Sequence, residues 1–417
     1  MLENIDRSKL YVIILIVIGL VIAGFIFYLV FKPAPVLPPV SNQNMPPGIL
    51  PPVGLGNVNV GYIGPTNLPP STTRPVGTLE QPATIAAGGV TTVKPVTQIP
   101  AKAPLALTNA TRYYNSLDGK FYELTAGGSS RLLSEDAYLN AQKITWSSKG
   151  DSAILEFPDG ANILYDFNKQ KQFTLPQEMT EFSFSPADNE VAGKFLGQEK
   201  SDRWLVTVST DGSQLKGIEP LGDNADKVQV AWSPNNQVVA LSKTGEPSGL
   251  FSQEILLIGL HGENFRSLKV EGRGFEGEWS PSGEQLLYSI YSDTTNYRPS
   301  LWLVDASGDR VGYNKKQVGL NTWVDKCTMA TTENVAYCAV PVNLPEGSGY
   351  VRELADGIPD VFYRVDLTTG TSTLLASPVT EYGGGVAATN LSLSGDGRLL
   401  YFIDETTGQL RSLQLIP

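Results

Sequence analysis

The sequence predicts an all-β chain folded as a β-propeller, and three observations lead there. An aromatic-Ser turn recurs four times, as Trp146-Ser147-Ser148-Lys149-Gly150, Phe184-Ser185-Pro186-Ala187-Asp188, Trp232-Ser233-Pro234-Asn235-Asn236 and Trp279-Ser280-Pro281-Ser282-Gly283. The copies stand 38, 48 and 47 residues apart, and a period of about 40 to 50 residues with four short strands per unit marks a propeller blade. Each copy is followed by an apolar strand: Ala153-Ile154-Leu155, Val191-Ala192-Gly193, Val238-Val239-Ala240 or Leu286-Leu287-Tyr288. No amphipathic helix pattern of useful length appears in this part of the chain.

Two weaker copies extend the series. Cys327-Thr328-Met329-Ala330 stands 48 residues after Trp279, and Leu391-Ser392-Leu393-Ser394-Gly395-Asp396-Gly397 closes the run after a wider gap. The excess in that gap points to an insertion over residues 343–360, rich in Gly, Pro and acids. Third strands follow the anchor hairpins, as in Leu205-Val206-Thr207-Val208 and Leu301-Trp302-Leu303-Val304. Each ends in a turn with Gly or Asp, such as Thr210-Asp211-Gly212, where a positive φ is tolerated. Strand-like runs before Trp146 and after the last hairpin can join the two ends in one blade and hide the ring's edges. The strands number about 26, two more than six blades need and two fewer than seven, and six copies of the anchor favour six blades.

Trp146, Phe184, Trp232 and Trp279 recur at one blade position. A residue reused in every unit reads as packing between neighbouring sheets, ahead of a stacking platform for sugars. With these turns in view, the units resemble the WD40-like (PD40) repeats of the TolB-type propeller, a W-S-P-D-G-like turn, an apolar strand and a strand ending in D-x-G. The likeness runs from about Thr111 to the C-terminus and is best around Trp232 and Trp279. Lys149, Asn235 and Ser282 replace the Asp of the family turn. The resemblance implies the fold and says little about a ligand. TolB carries an α/β domain before its propeller, which this chain replaces, so a Tol-Pal role is not carried over.

What precedes the propeller is different in kind. Residues 10–31 hold no charge over 22 positions, and a helix of that length spans roughly 33 Å, enough for a bilayer. The bulky residues at its end argue against cleavage, so 10–32 is expected as an uncleaved transmembrane anchor behind a tail of residues 1–9. Arg7 and Lys9 on one side against Lys32 on the other place that tail in the cytoplasm and the bulk of the chain outside it. Residues 33–107 are expected as a disordered Pro-rich linker, since 33–104 hold 16 of the 29 prolines and only four charges. The propeller is then expected over 108–417.

The net charge of −11 and the lack of any long basic run argue against nucleic acid as a partner. The single histidine, His261, excludes a multi-histidine metal centre and makes a His-assisted nucleophile a poor reading. No G-x-S-x-G elbow, Asp-box or calcium-loop spacing is present. Cys327 and Cys338 lie opposite each other across one expected hairpin, which in an exported chain favours a structural disulfide. The sequence therefore predicts no catalytic, cofactor or metal residues. It predicts a membrane-anchored binding or scaffolding module for a protein or glycan partner at the cell envelope. Its partner-binding residues are expected in the long excursion: Tyr350, Arg352, Glu353, Asp356 and Asp360. The competing expectation is a surface hydrolase or lyase that acts on glycans with carboxylate and tyrosine chemistry.

Overall fold

The computed structural model describes residues 81–416, apart from 126–127 and 247–248. Its unit of construction is the aromatic-Ser turn. In five copies the Ser hydroxyl accepts the N–H of the residue five positions on: Ser147 from Ser152 (3.1 Å), Ser185 from Glu190 (3.1 Å), Ser233 from Val238 (2.9 Å), Ser280 from Gln285 (3.1 Å) and Ser394 from Leu399 (2.9 Å). These serines are at most 8 % exposed, so their hydroxyls depend on partners within the protein, and an unpaired one would be costly. Three residues after each Ser the backbone turns left-handed, at Gly150, Asp188, Asn236, Gly283 and Gly397. That is why only Gly, Asn or Asp stands there. The copy at Met329-Ala330 has no hydroxyl and keeps only the main-chain bond from Ala330 N to Val335 O (2.9 Å). Its hairpin is tied by the Cys327–Cys338 disulfide, between register partners with Cα atoms 4.0 Å apart.

Hairpins laid edge to edge build an all-β propeller. Five sheets are discrete blades. Those of residues 143–175, 179–220, 228–270 and 273–317 have four antiparallel strands each, and that of 327–379 has four plus Val90–Thr92, added in parallel beside Ser372–Val379. The other strands form one continuous seven-stranded sheet. In it Ala388–Leu393, Leu399–Asp404 and Gln409–Gln414 are joined through Lys94–Ala106 to Ala110–Asn115, Lys120–Thr125 and Ser130–Leu132.

The expectation of six blades is thus corrected to five discrete blades and a shared closing sheet. The expected linker is corrected at its C-terminal end as well, because residues 90–92 and 94–106 are strands of the ring. Lys94–Ala106 serves two partners: Lys94, Pro95 and Pro100 face Ser412, Arg411 and Gln409, while Ala101 to Ala106 face Asn115 to Thr111. Its pairing is irregular between Pro95 and Pro100 and again between Lys102 and Leu105, and Ala103 is left-handed (φ 47°). Prolines are tolerated at such breaks because the ladder needs no N–H there. The chain turns the corner at these irregularities.

Apolar side chains fill the spaces between neighbouring sheets. Trp146 packs with Phe121 and Tyr114 of the closing sheet, and Phe184 lies in a cluster with Ile154 and Leu164 of the preceding blade. Trp232 packs with Ala192 and Leu205, and Trp279 against the cluster of Leu241 and Ile255. Two indole N–H groups also cross between sheets, from Trp146 to Ala103 O (2.7 Å) and from Trp279 to Ala231 O (3.0 Å).

Because strands alternate in direction, connections emerge on two opposite faces. Turns between first and second strands, and between third and fourth, share one face (the turn face). The remaining connections share the other (the loop face). Among the described residues no helix is long and apolar enough to cross a membrane. The expected tail, the anchor at 10–32 and the linker up to residue 80 lie outside the described residues.

Candidate functional site

The longest connection, residues 342–359, leaves its blade between second and third strands and so emerges on the loop face. It is laid across the neighbouring blade 273–317. Gly347 N donates to Asn296 O (3.1 Å), Gly349 N to Tyr297 O (2.7 Å) and Arg298 Nε to Leu344 O (2.7 Å). Glycine is required at 349: a Cβ there would stand 2.5 Å from Tyr291 Cβ and 2.7 Å from the Tyr297 carbonyl oxygen. Asn296 and Tyr297 are both left-handed (φ 50° and 53°). For a ring-bearing residue that backbone costs about 1–3 kcal/mol, and the bond from Gly349 helps to hold it.

The crossing gathers aromatic rings. Tyr350 lies 4.7 Å from Tyr291 and 5.0 Å from Tyr297 between ring centroids, and Phe251 of the blade 228–270 lies 5.9 Å from Tyr297. Such spacings are those of favourable aromatic pairs. Tyr350 nevertheless stays 57 % exposed, and Leu250 beside Phe251 is 82 % exposed. The shelf is therefore an open, partly apolar surface made from three blades.

Arg352 anchors its inner side. The guanidinium bonds Asp325 (2.7 Å) and lies over the Trp323 ring, 4.8 Å from its centroid. Glu276 and Glu278 stand two apart on Arg273–Trp279, the first strand of its blade, and so point to the same side of it. Neither has an ion-pair or hydrogen-bond partner among the described residues. Glu278 keeps some contact with water although the ring encloses it. Enclosure pushes its carboxyl up to about 8, with Asp325 and then Glu276 adding to the rise. Glu276 is more exposed, yet partial desolvation by the protein around it still raises its carboxyl, helped by Asp325 and opposed by Arg352 and Lys243.

Of the five expected partner-binding residues, Tyr350 is on the shelf, Arg352 is tied to Asp325, and Glu353 and Asp356 face solvent. Asp360 is a correction. It is 2 % exposed, pairs with buried Lys326 (3.0 Å) and accepts the N–H of Ala388 (2.6 Å). Burial lifts its carboxyl to about 6 against the pull of Lys326. Charge and chain position alone could not tell this scaffold acid from a surface one. The sequence reading missed Tyr291, Tyr297, Phe251 and the pair Glu276 and Glu278. Only the Glu-x-Glu alternation on a strand was a visible signal. Among the described residues no cluster of three or more His, Cys, Asp and Glu is placed to hold a metal ion.

No family model matches the chain, and no curated protein matches it in sequence. Solved structures do resemble its fold. An oligogalacturonate lyase in complex with manganese superposes with a TM-score of 0.54 at 14% identity, covering 78% of this chain and 93% of that one. The oligogalacturonate lyase of Vibrio parahaemolyticus gives 0.53 at 11% identity, over 77% and 93% of the two chains. The β-propeller domain of Myceliophteria thermophila Cps50 (Swd1) gives 0.52 at 10% identity, over 78% and 98%. At these identities the likeness is one of fold, and it places the chain among the β-propellers.

Proposed function

We propose that the chain is a binding module without catalytic function, a TolB-like ring held to a membrane by residues 10–32 and displayed outside the cytoplasm, whose loop face receives a partner. One observation carries this reading. The excursion 342–359 is fastened to a neighbouring blade by Gly347, Gly349 and Arg298, and the fastening leaves Tyr350 in the open on a rigid aromatic base. An ordered, exposed aromatic side chain is ready to be covered by a partner without further loss of conformational freedom. An enzyme working with carboxylates needs two acids flanking an enclosed substrate. Glu276 and Glu278, near Asp325, supply a place for such chemistry, so a glycan hydrolase or lyase is the second reading.

The test uses a photo-cross-linking amino acid at position 350 of the full chain in intact cells, compared with the same group at Leu215, exposed on the turn face. A discrete adduct from position 350, absent from 215, supports the reading. Equal or absent labelling removes it. Cleavage of an oligosaccharide that is lost in Glu278→Gln would establish the enzymatic reading instead.

A further inference from the structure

We infer that the partner on the loop face presents a basic polypeptide segment, with an arginine or lysine side chain laid on Tyr350 and its charge met by the carboxylates of the same excursion. This rests on the reading of that face as a binding surface and adds the chemistry of the occupant. The shelf supplies ring faces, and the excursion that carries Tyr350 supplies acids. Glu346, Glu353 and Asp356 are exposed on the same excursion, and none has an ion-pair partner among the described residues.

Three arginines nearby have their donors engaged, while Lys243 lies on the side of Glu276. Arg273 donates to the carbonyls of Gly249 and Leu250, Arg298 to that of Leu344, and Arg352 to Asp325. What the excursion offers a newcomer is therefore mostly acceptor groups and negative charge. A neutral sugar needs donors as well as acceptors, whereas an ammonium or guanidinium brings only donors and the opposite charge.

The face also contains an internal copy of the proposed contact. Arg352 lies over the Trp323 ring at 4.8 Å while its guanidinium bonds Asp325 at 2.7 Å, a cation placed on a ring and neutralised at its edge by a carboxylate. Tyr350 offers a second ring two residues away, with Glu353 three positions on. A cation over a ring face is favourable at exposed sites and more so when the partner excludes water.

The experiment measures fluorescence anisotropy of a labelled octa-arginine peptide with the full chain in detergent, at about 0.15 M salt so that long-range attraction is screened. Binding should weaken about fivefold in Tyr350→Ala, which changes no charge. It should weaken similarly in Glu353→Gln and stay within about twofold in Asp211→Asn, which removes one acid from the turn face. Equal binding to wild type, Tyr350→Ala and Glu353→Gln would reduce the effect to general attraction by an acidic protein and overturn the inference, as would no binding at all. Tyr350-dependent binding of a neutral hexasaccharide in place of the peptide would overturn it too. If cross-linking from position 350 still succeeds in any of these cases, the face remains a binding surface with a different class of occupant. If that also fails, both readings fall together.

Discussion

A buried serine hydroxyl and a left-handed residue three positions later recur in five hairpins of this ring, which shows how much one side chain can decide. The Ser was legible in the sequence as a repeat, and its hydrogen bond explains why the repeat uses that residue type. Glu278 was not legible, because its proton affinity depends on what encloses it. Its folded carboxyl titrates at about 8 against an ordinary value of 4.5. The folded state thus holds a proton that the unfolded chain gives up. The resulting stability is fully present below the ordinary value and is lost as pH rises through the folded one. Glu278→Gln should therefore flatten the fall of the melting temperature between about pH 5 and about pH 9. Parallel curves for variant and wild type would show that the glutamate is not enclosed as described.

At the scale of elements, the excursion 342–359 was visible as an irregular, Gly- and acid-rich insertion, but its direction was not. A loop's course depends on surfaces brought to it by other blades, here Asn296, Tyr297 and Tyr291. Two of the residues picked from its composition ended in opposite roles: Tyr350 lies open on the shelf, and Asp360 is sealed against Lys326. Gly349→Ala tests the crossing directly. The added methyl must displace Tyr291 or the Tyr297 carbonyl, at a local cost of about 1–3 kcal/mol. Amide hydrogen exchange should then show loss of protection over 345–359 and 292–299, while the blade 143–175 keeps its protection. Unchanged exchange across both loops would mean that the crossing does not depend on that glycine. The Cys327–Cys338 bond is an element-scale device as well, locking a hairpin whose turn lacks the usual serine.

For the whole molecule the deciding feature is how the ring closes. Lys94–Ala106 hydrogen-bonds to Gln409–Gln414 on one side and to Ala110–Asn115 on the other, so the two ends of the propeller depend on one strand. A chain beginning at residue 81 should unfold in one transition like the full propeller. A chain beginning at residue 107 should lose that transition, since the broken sheet exposes apolar surface and unpaired edges against a total stability of about 5–15 kcal/mol. Calorimetry of the two chains checks this, and an intact transition in the shorter one would show that the closing strand is dispensable.

Local, periodic information in the sequence determined the radial β architecture: turns with a serine and a left-handed residue, alternating strands, and an aromatic reused in each unit. The opposed cysteines belong to the same class, because a hairpin's register follows from its own few residues. Only the tertiary structure decided that a proline-rich stretch serves as the closing strand, that Asp360 is buried, and that rings from three blades meet beneath Tyr350. Those outcomes rest on contacts between residues far apart in the chain, and composition carries no record of which distant surface a segment will meet.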